Sequence, residues 1–275
     1  MPRALITGIT GQDGSILAEQ LVAEGAEVLG LARPPLDREV ANLAAVRDRV
    51  TLLPGDLLDA ASLRRAVAEA QPDELYHLGA PTFVPASWDD PAETVAAVAG
   101  ATATLLAAAV ALERPPRVFV ATSSEVFGDA GVSPQDEESR MRPRTPYGVA
   151  KLAAHRLVGV MRERHGLHAS TGIAFNHESP RRPEAFLPRK VSRGVAAVAL
   201  GLERELVLGS LDAVRDWCAA RDVTRGAVLA ARHPEPGDYV LASGVGRTVR
   251  ELVATAFAHV GLAPDGRVRV DPALV

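Results

Sequence analysis

Apolar and polar positions alternate along the chain with two different periods. Short continuous apolar runs at Arg3–Thr7, Glu27–Ala32, Val50–Leu53, Glu74–Leu78 and Val118–Thr122 read as strands buried on both faces. Between them lie stretches with helical spacing. The first runs from the turn after Thr7 to Glu24, sets Leu17 and Leu21 on one face, and stops at Gly25. Others are expected at Asp37–Arg47, Ser62–Ala70 and Pro91–Leu112. A helix over Tyr147–Arg164 and a strand over Ala169–Phe175 follow, and then the pattern loosens. Prolines and arginines make Ser179–Lys190 read as a substrate-facing loop. Helices are expected at Ala185–Leu202, Asp222–Ala231 and Thr248–Val260, and short strands at Glu205–Leu208, Tyr239–Ala242 and Arg267–Val270.

Strand–helix alternation with short connections predicts right-handed crossovers, hence an α/β fold built on a doubly wound parallel Rossmann sheet. The expected division is a dinucleotide-binding domain over residues 1–175. A smaller C-terminal α/β substrate-binding region, interleaved with it, covers residues 176–275. With 47% hydrophobic residues in 275, the chain can bury a sizeable core. A net charge of −4 and a pI near 6.0 argue against a general polyanion binder, so no nucleic-acid partner is expected. Cys218 is the single cysteine, which excludes an intrachain disulfide and a Cys-based zinc site; no metal site is expected.

The apolar run near Met1 is too short for a signal peptide. Val95–Leu112 is mostly alanine, is interrupted by Gly100, Thr102 and Thr104, and reads as a buried helix instead of a membrane span. A soluble cytoplasmic protein with no membrane partner is the expectation.

The chemistry concentrates at strand ends. Gly8, Gly11 and Gly14 follow the first strand and open the first helix as GxxGxxG. Gly8 suits a tight turn, Gly11 lets a pyrophosphate approach the backbone, and Gly14 lets the helix pack closely. The helix N-terminus offers amide donors and a dipole to phosphate. After the second strand comes Arg33, not a carboxylate, which favours the 2′-phosphate of NADP over the free ribose diol of NAD. Asp56, at the end of the third strand, is an expected adenine-side contact.

Tyr147 and Lys151 form YxxxK just after Pro146. Residues four apart share a helix face, so both can reach one nicotinamide ribose, with the ammonium favouring the phenolate. Ser123 ends the fifth strand at the switch-point crevice and completes an alcohol-oxidising triad. Glu125, two residues later, is a carboxylate that oxidation alone does not require. Elimination does require one, to take the proton on the carbon beside a newly formed ketone and to protonate the departing hydroxyl.

At this point the chain resembles the GDP-mannose 4,6-dehydratases of the extended short-chain dehydrogenase/reductases. The matching pieces are Gly8–Ser15, Leu78-Gly79-Ala80, Ser123-Ser124-Glu125, Pro143–Lys151, Phe175–Arg182, Arg189-Lys190 and Arg215-Asp216-Trp217. Their order spans nearly the whole chain, and Phe175–Arg182 is the narrowest signature among them. The resemblance implies conversion of GDP-mannose to GDP-4-keto-6-deoxymannose, with NADP as cofactor and a GDP-hexose as substrate. Tyr147 would take the 4-hydroxyl proton, Ser123 would polarise the oxygen, and Glu125 would serve the elimination. It further implies cofactor contacts from Thr10, Gln12, Asp13, Leu57, Leu78, Gly79, Ala80, His177 and Arg182. Substrate contacts are implied for Thr82, Ser87, Ser124, Glu125, Asn176, Lys190 and Arg215. The same chemistry on another nucleotide sugar, a 4-epimerisation, and a non-catalytic NADP-binding homologue are the alternatives.

Departures from the family pattern carry expectations of their own. Ser123 stands where threonine is usual, Val98 where a polar residue is usual, and Pro81-Thr82-Phe83 where the family is more polar. The loop after Arg33 is shorter than the arginine-rich one that reaches a neighbouring subunit. A homodimer through Pro91–Leu112 is therefore expected in place of a tetramer. The family continues past Asp271–Val275 into an Arg-Pro segment that grips the nucleotide. A trimmed C-terminus or incomplete substrate binding is the corresponding expectation.

Overall fold

The computed structural model describes residues 1–37 and 40–274, and divides into two compact units. The first unit comprises Met1–Phe175 and Ala219–Leu241. Its centre is a seven-stranded sheet in the order β10-β6-β5-β4-β1-β2-β3, parallel throughout. The strands are β1 (Arg3–Thr7), β2 (Glu27–Ala32), β3 (Val50–Pro54), β4 (Glu74–His77), β5 (Arg117–Ser123), β6 (Ala169–Ala174) and β10 (Asp238–Leu241). The strand order reverses between β1 and β4, which opens a crevice at the carboxyl ends of these strands.

Both faces of the sheet are covered, as all-parallel strands require. One layer buries Leu17, Leu21 and Val22 of α1 (Gln12–Ala23) with Ala227, Val228 and Ala231 of α7 (Ala220–Arg232) against Ile6, Tyr76 and Phe119. The other packs Leu63 and Val67 of α2 (Ala60–Ala70) with Leu105, Leu106 and Ala109 of α4 (Ala101–Val110). Val158 of α5 (Pro146–His165) joins them over Leu5, Leu75 and Val118. α3 (Pro91–Val95) runs into α4 through a π turn at Ala96–Gly100. Pro91–Val110 thus forms a 20-residue helix with the length and apolarity to cross a membrane. Its buried side chains are spent on the core of this unit instead.

β10 is an edge strand, and the Glu137 carboxylate accepts its Val240 N–H at 2.7 Å. A charged side chain on an exposed edge is a known guard against unwanted strand pairing.

The second unit comprises Asn176–Cys218 and Ala242–Val275. It holds a three-stranded sheet, β11-β9-β7, made from β7 (Asn176–Glu178), β9 (Val214–Ala219) and β11 (Gly246–Thr248). A parallel pair joins β8 (Leu206–Leu208) to β12 (Val268–Val270). α6 (Leu187–Ala199) and α8 (Val249–His259) bury Val191, Val195, Val253 and Phe257 with Leu206 and Leu208. Trp217 packs against this cluster.

Three sequence expectations are corrected. Asp37–Arg47 is not an α-helix: 3-10 turns occupy Ala41–Leu43 and Arg47–Arg49, while Arg38 and Glu39 lie outside the described residues. A spacing of three brings Val40, Leu43 and Val46 onto the core, and a 3-10 turn satisfies that period as well as an α-helix does. The loop expected over Ser179–Lys190 ends before Leu187, where α6 begins with a proline in its first turn, so Lys190 stands on the helix that was expected over Ala185–Leu202. Asp56 lies two residues beyond β3, in the loop that leads to α2. Val275, the last residue assigned to the substrate region, is outside the described residues.

Candidate active site

The crevice is built first from backbone geometry. Gly8 turns the chain at φ +73°, and a Cβ there would sit 2.7 Å from the Gly79 Cα. At Gly14 a Cβ would lie 2.2 Å from the Gly8 carbonyl oxygen, so only glycine lets α1 start this close to β1. Gly11 is different, since its nearest protein atom would be Gly8 O at 3.3 Å, and space remains above it. Gly11 is also the N-cap of α1 and brings no side chain of its own to cap the helix. Open space beside a helix N-terminus that begins at a glycine suits a phosphate.

The loops after β1 and β4 are tied by a buried relay. The Gly79 N–H donates to Thr7 Oγ1 at 3.1 Å, and Thr7 Oγ1 lies 2.7 Å from His77 Nδ1. The Thr7 hydroxyl thus bridges the Gly79 amide and the His77 ring. Burial, then the nearby Lys151 charge, pushes the His77 pKa down to about 3, so the ring stays neutral. Around the turn, the Asn42 amide donates to the Thr10 carbonyl at 3.1 Å and Gln12 Nε2 to Asp13 Oδ1 at 3.0 Å.

The end of β5 meets the start of α5 beside this turn. Ser123 is the last residue of β5, and its hydroxyl accepts the Glu125 N–H at 3.3 Å. Ser124 and Glu125 lie in a 3-10 turn that follows at once. Thr145 caps α5, Pro146 opens it, and Tyr147 sits in the first turn with Lys151 one turn later. Both are buried, at 6% and 5% exposure. The Lys151 ammonium donates to the Ala121 carbonyl of β5 at 2.7 Å and lies 5.8 Å from the Tyr147 ring centre. Burial pushes its pKa down from 10.5 to about 8, against a smaller opposing pull from Asp13. Glu125 faces α5 through Thr145, whose hydroxyl is 3.5 Å from Glu125 Oε2. Serine, carboxylate, phenol and ammonium therefore share the carboxyl edge of one strand and the first turns of one helix.

Other expected contacts fall around this edge. Leu78 packs on the core, and Leu57 Cδ2 would be 3.4 Å from a Cβ on Gly79. Ala80 packs with Val98, Ala150 and Ala154, so the apolar residue at Val98 fills the seat of α5. Arg33 follows β2 directly and is exposed. Asp56 accepts the Leu58 N–H at 2.9 Å, which turns the loop after β3. Thr82 is exposed, whereas Ser87 is buried and donates to Val84 O at 2.7 Å within its own 3-10 turn.

The remaining candidates belong to the second unit. Asn176 and His177 are in β7, and the Asn176 carbonyl accepts the Cys218 thiol at 3.6 Å. Arg182 reaches back 3.3 Å to Glu178 and stacks its guanidinium 3.8 Å above the Phe186 ring. Lys190 is exposed on α6 and Arg215 is exposed on β9. The Asp216 carboxylate accepts the N–H groups of Ser243 and Gly244 at 2.9 and 2.7 Å, which fixes the strand that carries Arg215.

Two groups near these candidates were not singled out from the sequence. Antiparallel pairing sets Arg247 of β11 directly opposite Arg215, and the two guanidinium groups emerge on one face. Nothing in a three-residue polar strand signals that pairing. Thr145 was also passed over, although a Thr-Pro pair before a helical run marks an N-cap.

Comparison with known proteins completes the picture. Residues 5–272 match the family model described as GDP-mannose 4,6 dehydratase. The chain is 42% identical over 268 residues to the GDP-mannose 4,6-dehydratase of Sinorhizobium fredii (strain HH103), covering 94% of this chain and 76% of that protein. It is 42% identical over 260 residues to that of Sordaria araneosa, where it spans only 48% of the relative's length. Among solved structures, the dTDP-glucose 4,6-dehydratase of Streptomyces venezuelae, determined with NAD bound, is similar at a TM-score of 0.85 and 26% identity. That likeness covers 98% of this chain and 84% of the other.

Proposed function

The chain belongs to the GDP-mannose 4,6-dehydratase family, and from that premise we propose that it converts GDP-mannose to GDP-4-keto-6-deoxymannose as a hydro-lyase. The observation that carries the proposal is the placement of Glu125 against the start of the helix bearing Tyr147 and Lys151. An alcohol oxidation would need only the serine, phenol and ammonium. A carboxylate in the same place supplies the base that an elimination demands.

The residues present fit a bound dinucleotide. The space over Gly11 at the start of α1 suits its pyrophosphate, and Tyr147 and Lys151 share a helix face toward a ribose. The nicotinamide, when bound, supplies a hydride acceptor for C4 of the sugar and later a hydride donor for C6. Tyr147 takes the proton of the 4-hydroxyl, and the Lys151 ammonium stabilises the negative charge on the phenolic oxygen. Ser123 donates to the C4 oxygen. With C4 a ketone, the C5–H bond is acidified, and Glu125 removes that proton. Glu125 then returns a proton to the 6-hydroxyl as the C6–O bond breaks and water departs, and C5 regains a proton equivalent to the one Tyr147 took once C6 has been reduced.

The cofactor in this reading is NADP, because β2 gives way directly to the exposed Arg33 with no carboxylate at its end. In the second unit, Asn176, Lys190 and Arg215 are the proposed contacts to the GDP portion, and His177 and Arg182 those to the cofactor. A homodimer through Pro91–Leu112, located in the cytoplasm, completes the proposal.

The test is an assay of the purified protein with GDP-mannose, followed for a 4-keto product that absorbs in alkali. Glu125→Gln should retain dinucleotide binding and lose at least ~100-fold in turnover, the usual share of general acid–base catalysis. Product formation by Glu125→Gln at the wild-type rate would remove the elimination mechanism.

A further inference from the structure

Glu125 is held from three sides, and among the described residues Thr145 alone bonds its carboxylate through a side chain. Its backbone N–H is bonded to Ser123 Oγ at 3.3 Å. Its backbone carbonyl rests on α5 where a Cβ at Gly148 would come within 2.8 Å of the oxygen, so a larger residue there would push the turn away. The Thr145 hydroxyl then reaches Glu125 Oε2 at 3.5 Å. That same hydroxyl accepts the Gly148 N–H at 3.0 Å as the N-cap of α5.

A threonine hydroxyl has one proton and two lone pairs. The cap uses a lone pair and leaves the proton free for the carboxylate. Among the described residues Thr145 is the sole hydrogen-bonding partner of that carboxylate, and it engages Oε2 alone.

We propose that Thr145 is a positioning residue for the dehydration, coupling the aim of the Glu125 carboxylate to the helix turn that holds Tyr147. The inference rests on the reading of Glu125 as the base at C5. One hydroxyl serves the two halves of the reaction. As a cap it sets the helix bearing the phenol, and as a donor it sets the carboxylate that acts on the neighbouring carbon.

Three substitutions separate the two duties. Thr145→Ser keeps both cap and donor. Thr145→Asp keeps a good cap but has no proton to give and repels Glu125. Thr145→Ala loses both. Each is measured for NADP affinity, for turnover, and for the kinetic isotope effect with GDP-mannose deuterated at C5.

Thr145→Ser should stay within about threefold of wild type in turnover. Thr145→Asp should keep NADP affinity and lose about 10- to 100-fold in turnover, the scale of a hydrogen bond to a charged group. Its C5 isotope effect should rise as proton removal becomes limiting. Wild-type turnover in Thr145→Asp would overturn the inference. So would losses in Thr145→Ala that follow NADP affinity alone with an unchanged isotope effect, which is what a plain helix cap would give. If Glu125→Gln is fully active, the reading of the base fails; if it is dead while Thr145→Asp is normal, only the role of Thr145 fails.

Discussion

The two ends of the first unit's parallel sheet handle charge in opposite ways. At the amino ends, charges meet opposite charges. Arg232 of α7 grips Glu74 through two nitrogens at 2.7 and 3.1 Å and reaches Glu24 at 2.7 Å, while Tyr76 donates to the same Glu74 at 2.8 Å. Burial, with the adjacent Glu74 carboxylate, pushes the Tyr76 hydroxyl far above its ordinary pKa, and bonding to Glu74 raises that of Arg232. Arg3 pairs with Glu27, and Arg162 pairs with Asp238 while also bonding the Ala169 carbonyl. At the carboxyl ends the buried ammonium of Lys151 bonds, among the described residues, only the Ala121 carbonyl. The charge at one end is neutralised within the fold, whereas the charge at the other is held for something the fold itself does not contain. Stability is stored at one edge and spent at the other.

The comparison breaks first at Arg232. Arg232→Met leaves the Glu74 carboxylate buried without its cation, so unfolding by urea should show a loss on the order of 3 kcal/mol. The Michaelis constant and turnover of the folded protein should be unchanged. A neutral result would mean the amino edge is not where stability resides.

Lys151→Met should act in the opposite sense. The native pKa of about 8 lies below the usual 10.5, so between those values the unfolded chain binds more protons and wild-type stability rises with pH. Below pH 8 the cost of burying the ammonium is fully present, at about 3 kcal/mol from the size of the shift. The cofactor-free Lys151→Met protein should therefore be more stable than wild type at pH 7 by roughly that amount. The gain should fade toward pH 10, and activity should be lost throughout. Denaturant titrations at the two pH values measure it, and a destabilised variant at pH 7 would end the contrast.

The smallest effect is expected at the rim. Arg33→Ala should leave stability unchanged and weaken NADP by roughly tenfold, the scale of one charge-assisted contact, with little change for NAD. Equal effects on the two cofactors in a direct binding titration would break the assignment.

Much of the carboxyl edge was legible because its signals are local. Continuous apolar runs such as Ala4–Ile6 and Val118–Val120 can only be strands covered on both sides, and glycine turns and YxxxK sit at their ends. What was not legible depends on partners distant in sequence or on polar strands. Asn176–Glu178 and Gly246–Thr248 are three residues each with no apolar alternation, so their pairing with Val214–Ala219 left no pattern to read. The apolar spacing of Val40, Leu43 and Val46 fits two kinds of helix, and the wrong one was expected. Thr145 reads as a cap from its neighbours, but its hold on Glu125 spans 20 residues and exists only once β5 and α5 have met.

The sheet of the first unit draws its last strand from far along the chain. After Phe175 the chain departs and returns only at Ala219, to lay α7 over α1 and β10 beside β6. During synthesis, the first 175 residues therefore emerge with the outer edge of β6 unpaired and with α7 missing from the layer that α1 begins. They remain so until Leu241 has left the ribosome tunnel. A nascent chain stalled before that residue would present β6 to other chains, making this stretch of translation the interval in which a chaperone has most to protect.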